Sequence, residues 1–110
     1  MQLIKAIVRP NKVDDVKDAL SKLGVSGITV TEVRGHGKQK GHTAIYRGKE
    51  YSVSLLPKME LETVVADEIV DSAIKAIISA GRTGEIGDGR VFVMPVSESF
   101  RIRTGELEVG

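Results

Sequence analysis

Apolar residues along this chain recur in two rhythms, and the switches between them mark the elements. Leu3 to Arg9 is largely apolar and β-branched, which predicts a strand. Pro10-Asn11 breaks the pattern. Val13, Val16, Leu20 and Leu23 follow at helical spacing and share one face. Asn11 is placed to cap that helix, Asp14 and Asp15 suit its positive end, and Lys22 suits the other. Gly24 is a natural stop, because the residue just past a helix often takes a positive φ. Gly27 then leads into a second strand, Ile28 to Arg34, rich in Thr and Val. A third strand includes Met59, Leu61, Thr63 and Val65, which alternate with Glu60 and Glu62 as a half-buried strand requires. Asp67 is placed to cap a second helix with the stripe Val70, Ala73, Ile74 and Ile77, ended by Gly81. Arg90 to Met94 reads as a fourth strand, before Pro95 and an irregular tail.

The order is β-α-β-β-α-β within a single domain, 1–110. That order suits an α+β, ferredoxin-like antiparallel sheet with both helices on one face. The other face is then left bare. It must be polar, or be buried by another subunit, so a homo-oligomer is expected.

Composition removes several function classes. Formal net charge is +1, so no global field draws the chain to nucleic acid or membrane. There is no cysteine, which excludes disulfides, thiolate metal sites and a cysteine nucleophile, and suits a reducing cytoplasm. The absence of tryptophan and the scarcity of other aromatics leave no base-stacking platform. The opening residues resemble a strand and not a signal peptide, and no run reaches the roughly 20 apolar residues that span a bilayer. No Ser-His-Asp set is apparent, so the expectation is a protein that is not an enzyme.

One segment, 34–49, departs from this compact spacing. It holds four glycines, five basic residues, no acidic one, and both histidines, His36 and His42. Such a segment reads either as a solvated hairpin extension or as an arm that binds a partner or an anion. Two histidines without a nearby carboxylate make weak metal ligands, and incidental roles suit them better.

A second segment, 81–90, carries Gly81, Gly84, Gly87 and Gly89 before Arg90. Helix capping and a tight turn account for some of these glycines. Their number also suits a concave anion site built from backbone N–H groups. No Gly-Lys-Ser/Thr follows, so it is not a Walker loop. Downstream, Arg101 and Arg103 are two apart and would project together from an extended segment. With Arg90 they offer three guanidinium groups to a polyphosphate. The alternative is surface ion pairing with Glu98 or Glu106, which is worth little.

Several motifs carry a resemblance to a known family. Tyr46-Arg47-Gly48-Lys49-Glu50-Tyr51 with Leu56-Pro57-Lys58, the run from Thr83 to Val93, Gly27 to Val33, Gly37 to His42 and Arg101 to Glu106 resemble, in order and over nearly the whole chain, the signatures of the PII nitrogen-regulatory signal-transduction proteins. The resemblance implies a homotrimer that binds ATP or ADP in clefts between subunits. It places Gly87, Asp88, Gly89, Arg90, Arg101, Arg103 and Lys38 around the phosphates. Ile7, Thr29, Glu62 and Val64 fall at the adenosine, with Gly35 and Gly37 lining the site. It further implies 2-oxoglutarate as an effector, contacted through Gln39, Lys40, Gly41 and Lys58. The keto acid chelates a Mg²⁺ held by the ATP phosphates and Gln39. Arg47, Tyr51 and Ser54 fall on the partner loop, whose implied target is an ammonium transporter. Tyr51 matches a uridylylation position of some members. Lys49 replaces a serine phosphorylated in others, and His36 replaces a usual phenylalanine. Ser54 stands where general regulators carry aspartate, which leans toward the transporter-binding branch. A nucleotide-only sensor and a slow ATPase of the same fold are the alternatives.

Overall fold

The computed structural model describes residues 1–35 and 55–108, and the backbone alone of 43–46 and 49–52. Strand β1 (Gln2–Val8) leads through a 3₁₀ turn at Pro10–Lys12 into helix α1 (Val13–Ser21). Strand β2 (Thr29–Gly35) follows, then a short hairpin of β3 (Thr43–Tyr46) and β4 (Lys49–Ser52). The long strand β5 (Leu56–Val65) leads through a second 3₁₀ turn at Asp67–Ile69 into helix α2 (Val70–Gly81), and β6 (Arg90–Pro95) completes the sheet. The main sheet has the order β2-β5-β1-β6 and is antiparallel throughout. The ferredoxin-like arrangement expected from the pattern is therefore present.

The core lies between this sheet and the helices. Ile4, Ala6 and Val8 from β1 meet Leu61 and Val65 from β5, Val16 and Leu20 from α1, and Ala73 and Ile77 from α2. Each fully buried Val, Leu or Ile side chain among these contributes about 1.5–3 kcal/mol. The alternation along β5 holds, with Leu61, Thr63 and Val65 buried and Met59 packed at the margin. Thr63 brings a cost, since its hydroxyl is buried without a hydrogen-bond partner among the described residues.

Three local expectations are corrected. Neither Asn11 nor Asp67 caps its helix with a side chain. Pro10 starts a 3₁₀ turn instead, and the Lys12 N–H donates to the Arg9 carbonyl at 2.9 Å. Asp67 turns away to the Met1 ammonium at 3.0 Å and accepts from Gln2 Nε2 at 3.2 Å. Leu23 lies past the end of α1 and is partly exposed, so the buried stripe stops at Leu20. Gly24 does stop the helix, at φ +84°. The Val25 N–H donates to Leu20 O and the Gly24 N–H to Ser21 O, which is a Schellman closure. Gly81 instead is the last helical residue, buried where a β-carbon would touch Val16 and Val8.

The strand register assigns the open face of the sheet in rows. Val64, Leu3 and Met94 form one row, and Thr29, Glu62, Lys5 and Phe92 the next. Thr31, Glu60, Ile7 and Arg90 form the third. Lys5 lies 3.8 Å from Glu60 and 3.6 Å from Glu62, while Val64, Phe92 and Met94 are exposed apolar groups around it. This is the bare face anticipated above.

Candidate functional site

The loop from Arg82 to Gly89 returns the chain from α2 to the sheet, and its geometry is set by one carboxylate. Asp88 accepts from the Thr83 N–H at 2.8 Å, the Gly84 N–H at 2.9 Å and the Thr83 hydroxyl at 2.6 Å. The Glu85 N–H donates in turn to Thr83 Oγ1 at 3.1 Å. On its other side Asp88 meets Arg9, whose Nε lies 2.9 Å from Oδ1. The hydroxyl and N–H bonds of Thr83, with Arg9 and Gly84, hold the carboxyl well below the usual range against an opposing desolvation cost. Its charge is thus spent inside the loop.

Two cations support the loop at consecutive residues. Arg9 Nη2 donates to the Ile86 carbonyl at 2.9 Å, and Lys58 Nζ donates to the Gly87 carbonyl. Lys58 is buried. Burial pushes its ammonium below the ordinary lysine value, the neighbouring Arg9 charge adds to this, and Asp88 partly opposes it. Gly35 on β2 lies against the Lys58 stem, where a β-carbon would sit 3.4 Å from Cγ.

The loop then closes onto the sheet. Gly84, Gly87 and Gly89 all take positive φ, at +89°, +105° and +98°. At Gly89 the reason is also steric, because a β-carbon would overlap the Ile7 carbonyl oxygen and stand 2.8 Å from the Ile7 carbonyl carbon. Arg90 follows directly, paired with Ile7 at the start of β6. A shallow, mostly apolar groove of about 330 Å³ has this turn as one wall and α2 as the other.

The structure thus gathers Ile7, Lys58, Gly87, Asp88, Gly89 and Arg90 at one end of the sheet. Glu62 and Val64 share the open face with Ile7 and Arg90. Thr29 pairs with Glu62 on the edge strand β2, whereas Arg90 belongs to the opposite edge. At about 4.8 Å per strand, three strand spacings separate those edges. Arg101 and Arg103 are not on an extended segment, which corrects the expectation above. Residues 101–104 form a turn, with Gly105 at φ +71° and its N–H donating to Arg101 O at 2.7 Å. A Phe100–Leu107 bridge and a Glu108 N–H bond to Ser99 O close it from outside. Arg101 pairs with Glu108 at 3.3 Å, not with Glu98 or Glu106, and Arg103 is exposed. Among the described residues no hydrogen bond or ion pair links either arginine to Arg90.

Gly37, Lys38, Gln39, Lys40 and Gly41 lie outside the described residues, as do His36, His42, Arg47 and Ser54. Tyr51 is described only as backbone of β4. Sequence reasoning did not single out Arg9 or Thr83. Arg9 is a charge placed directly after an apolar strand, the one local signal it gave. No helix among the described residues is long and apolar enough to cross a membrane, and those residues contain no cluster of metal-ligating side chains.

Comparison with known proteins gives a consistent answer. The family described as "Nitrogen regulatory protein P-II" matches residues 1–106. A nitrogen regulatory protein P-II of Haemophilus influenzae is 58% identical over 106 residues, covering 96% of this chain and 95% of that protein. The Rhizobium etli protein of the same name is 53% identical over 108 residues, covering 98% and 96%. Nitrogen regulatory protein P-II 1 of Escherichia coli is 55% identical over 106 residues, covering 96% and 95%. These relatives are named as regulators and not as enzymes. With a ferredoxin-like fold, a braced glycine loop and matches spanning almost its full length, the chain belongs to the nitrogen regulatory protein P-II family.

Proposed function

We propose that this chain is a non-enzymatic nitrogen signal protein that reads ATP, ADP and 2-oxoglutarate. The observation that carries the reading is the loop ending at Arg90. Its glycine backbone lies against the sheet with no room for a side chain at Gly89, and its own carboxylate is already neutralised by Arg9 and backbone N–H groups. Positive φ on alternate residues suits an anion-binding backbone, and Arg90 adds a charged donor at its edge. The Thr83 and Gly84 N–H groups are taken by Asp88, and Arg90 is paired with Ile7, so the backbone offered to phosphate is Gly87 to Gly89.

The remaining ligand residues fit a shared site better than a single-chain one. Thr29, Arg101 and Arg103 are not gathered with Arg90 within one chain, and the open face carries exposed Val64, Phe92 and Met94. Three copies packed through that face would bring one copy's Thr29, Arg101 and Arg103 to another copy's Ile7 and Arg90. The backbone of Gly87, Asp88 and Gly89, with Lys38 and the arginines, would then surround the phosphates. Ile7, Glu62 and Val64 would hold adenosine beside Gly35 and Gly37. Gln39 and the nucleotide phosphates would hold a Mg²⁺, which would supply a positive, oxygen-preferring charge for the keto acid. Lys58, with Lys40 and Gly41, would receive the keto acid. Arg47, Tyr51 and Ser54 would present the loop to an ammonium transporter at the cytoplasmic membrane face.

Titration with MgATP, with and without 2-oxoglutarate, tests this. Reciprocal coupling requires that each ligand tighten the other by the same factor. Independent binding would leave a nucleotide-only sensor, and no ATP binding at all would remove the reading. ATP at about 100 times its Kd should stabilise the fold by about 2.7 kcal/mol. Arg103→Ala should weaken ATP binding. Sustained phosphate release that this substitution abolishes would instead indicate an ATPase. Native mass measurement decides the trimer.

A further inference from the structure

We propose that Arg9 is a positioning residue for the nucleotide loop, holding it in its phosphate-receiving shape without touching the ligand. The inference rests on the nucleotide reading above.

Arg9 stands one residue beyond β1, a strand paired on both sides, by β5 and by β6. Its base is therefore in the interior of the sheet, where local opening is costly. From there the guanidinium makes two bonds to the loop, Nε to the Asp88 carboxylate and Nη2 to the Ile86 carbonyl, both at 2.9 Å. Asp88 passes the constraint on to the Thr83 and Gly84 N–H groups. Both ends of the loop thus depend on one fork. Arg9 and Asp88 span 79 positions of sequence, so this link fastens the loop to an element distant in the chain. A planar guanidinium can meet a carboxylate and a carbonyl together, and a lysine ammonium cannot reproduce that geometry. Arg9 and Asp88 are each about three-quarters buried, which limits solvent screening of the pair.

The test is a double-mutant cycle on the full chain, with ATP affinity read by calorimetry. Arg9→Met keeps the stem and removes the fork, and Asp88→Asn removes the charge. Each should weaken ATP binding roughly tenfold, and the double variant should be no weaker than the worse single one, because both break the same brace. Amide exchange should quicken at Thr83 and Gly84 while the β1–β5 ladder keeps its protection. Wild-type affinity in Arg9→Met would overturn the inference. So would losses that multiply in the double variant, since Arg9 would then act independently of Asp88. Should the β1–β5 ladder also lose protection in Arg9→Met, Arg9→Lys decides. Intermediate affinity supports the brace, and full affinity overturns it. A wild-type chain that does not bind ATP would fail the site reading itself, and the same titration shows this first.

Discussion

Replacing Gly89 by alanine tests the close approach of the loop to the sheet. Two costs apply. A β-carbon at φ +98° costs about 1–2 kcal/mol. The same β-carbon overlaps the Ile7 carbonyl, which is backbone in an interior strand and cannot swing aside. Relief requires the Ile7–Arg90 pair to separate, losing about 1 kcal/mol of hydrogen bonding. The sum is about 2–3 kcal/mol, or a fall in Tm of about 10–20 °C for a domain of this size. Two further glycines supply the controls. Gly84 has φ +89° but nothing within 4 Å of a β-carbon, so Gly84→Ala should lose only the conformational part, about 1–2 kcal/mol. Gly27 has neither a positive φ nor a neighbour, and Gly27→Ala should stay within about 0.5 kcal/mol of the wild type. Unfolding followed by far-ultraviolet circular dichroism, without nucleotide, ranks the three. Coincident midpoints for Gly89→Ala and Gly84→Ala would refute the steric argument, leaving φ as the sole demand.

Three other outcomes follow from named groups. Thr63→Val should stabilise the fold by about 1 kcal/mol or more, because it removes a buried hydroxyl with no partner among the described residues; a lower urea midpoint would contradict this. Asp88 has a depressed folded pKa, so the unfolded chain binds its proton more readily and stability must drop as the pH is lowered. Its contribution should be complete above the unfolded value of about 4 and be lost progressively below it, and Asp88→Asn should flatten that acid limb in urea midpoints. Lys58→Met removes the desolvation cost of the ammonium but also its bond to the Gly87 carbonyl, so the two effects oppose each other in Tm; on the proposed reading it should abolish any response to 2-oxoglutarate in the MgATP titration.

The sheet and helices were legible because burial imposes periodicity. Leu61, Thr63 and Val65 alternate, Val16 and Leu20 repeat at helical spacing, and Gly24 marks the end of α1 where a positive φ is needed. Helix starts were less legible. Asn11 and Asp67 are both good capping residues, yet backbone 3₁₀ turns took that role and Asp67 found the Met1 ammonium instead. The β3–β4 pairing agrees with a hairpin extension, one of the two readings open for 34–49, but the glycines and charges around Thr43, Ile45 and Tyr46 leave its strand bounds unmarked in the sequence. The turn at 101–104 depends on Phe100–Leu107 and Ser99–Glu108 contacts, which two arginines spaced by one residue do not announce. Within the site, the glycines and Arg90 stood out locally. The Arg9 brace did not, because its partners lie 77 and 79 residues away.

Arg90 belongs at once to the end of the glycine loop and to the start of β6, a strand at the edge of the sheet. Edge strands present unpaired backbone to whatever lies alongside. A neighbour laying chain along β6 and an anion settling on the loop would therefore act on one stretch of main chain. If both bind, linkage requires each to change the affinity for the other by an equal factor, whichever arrives first.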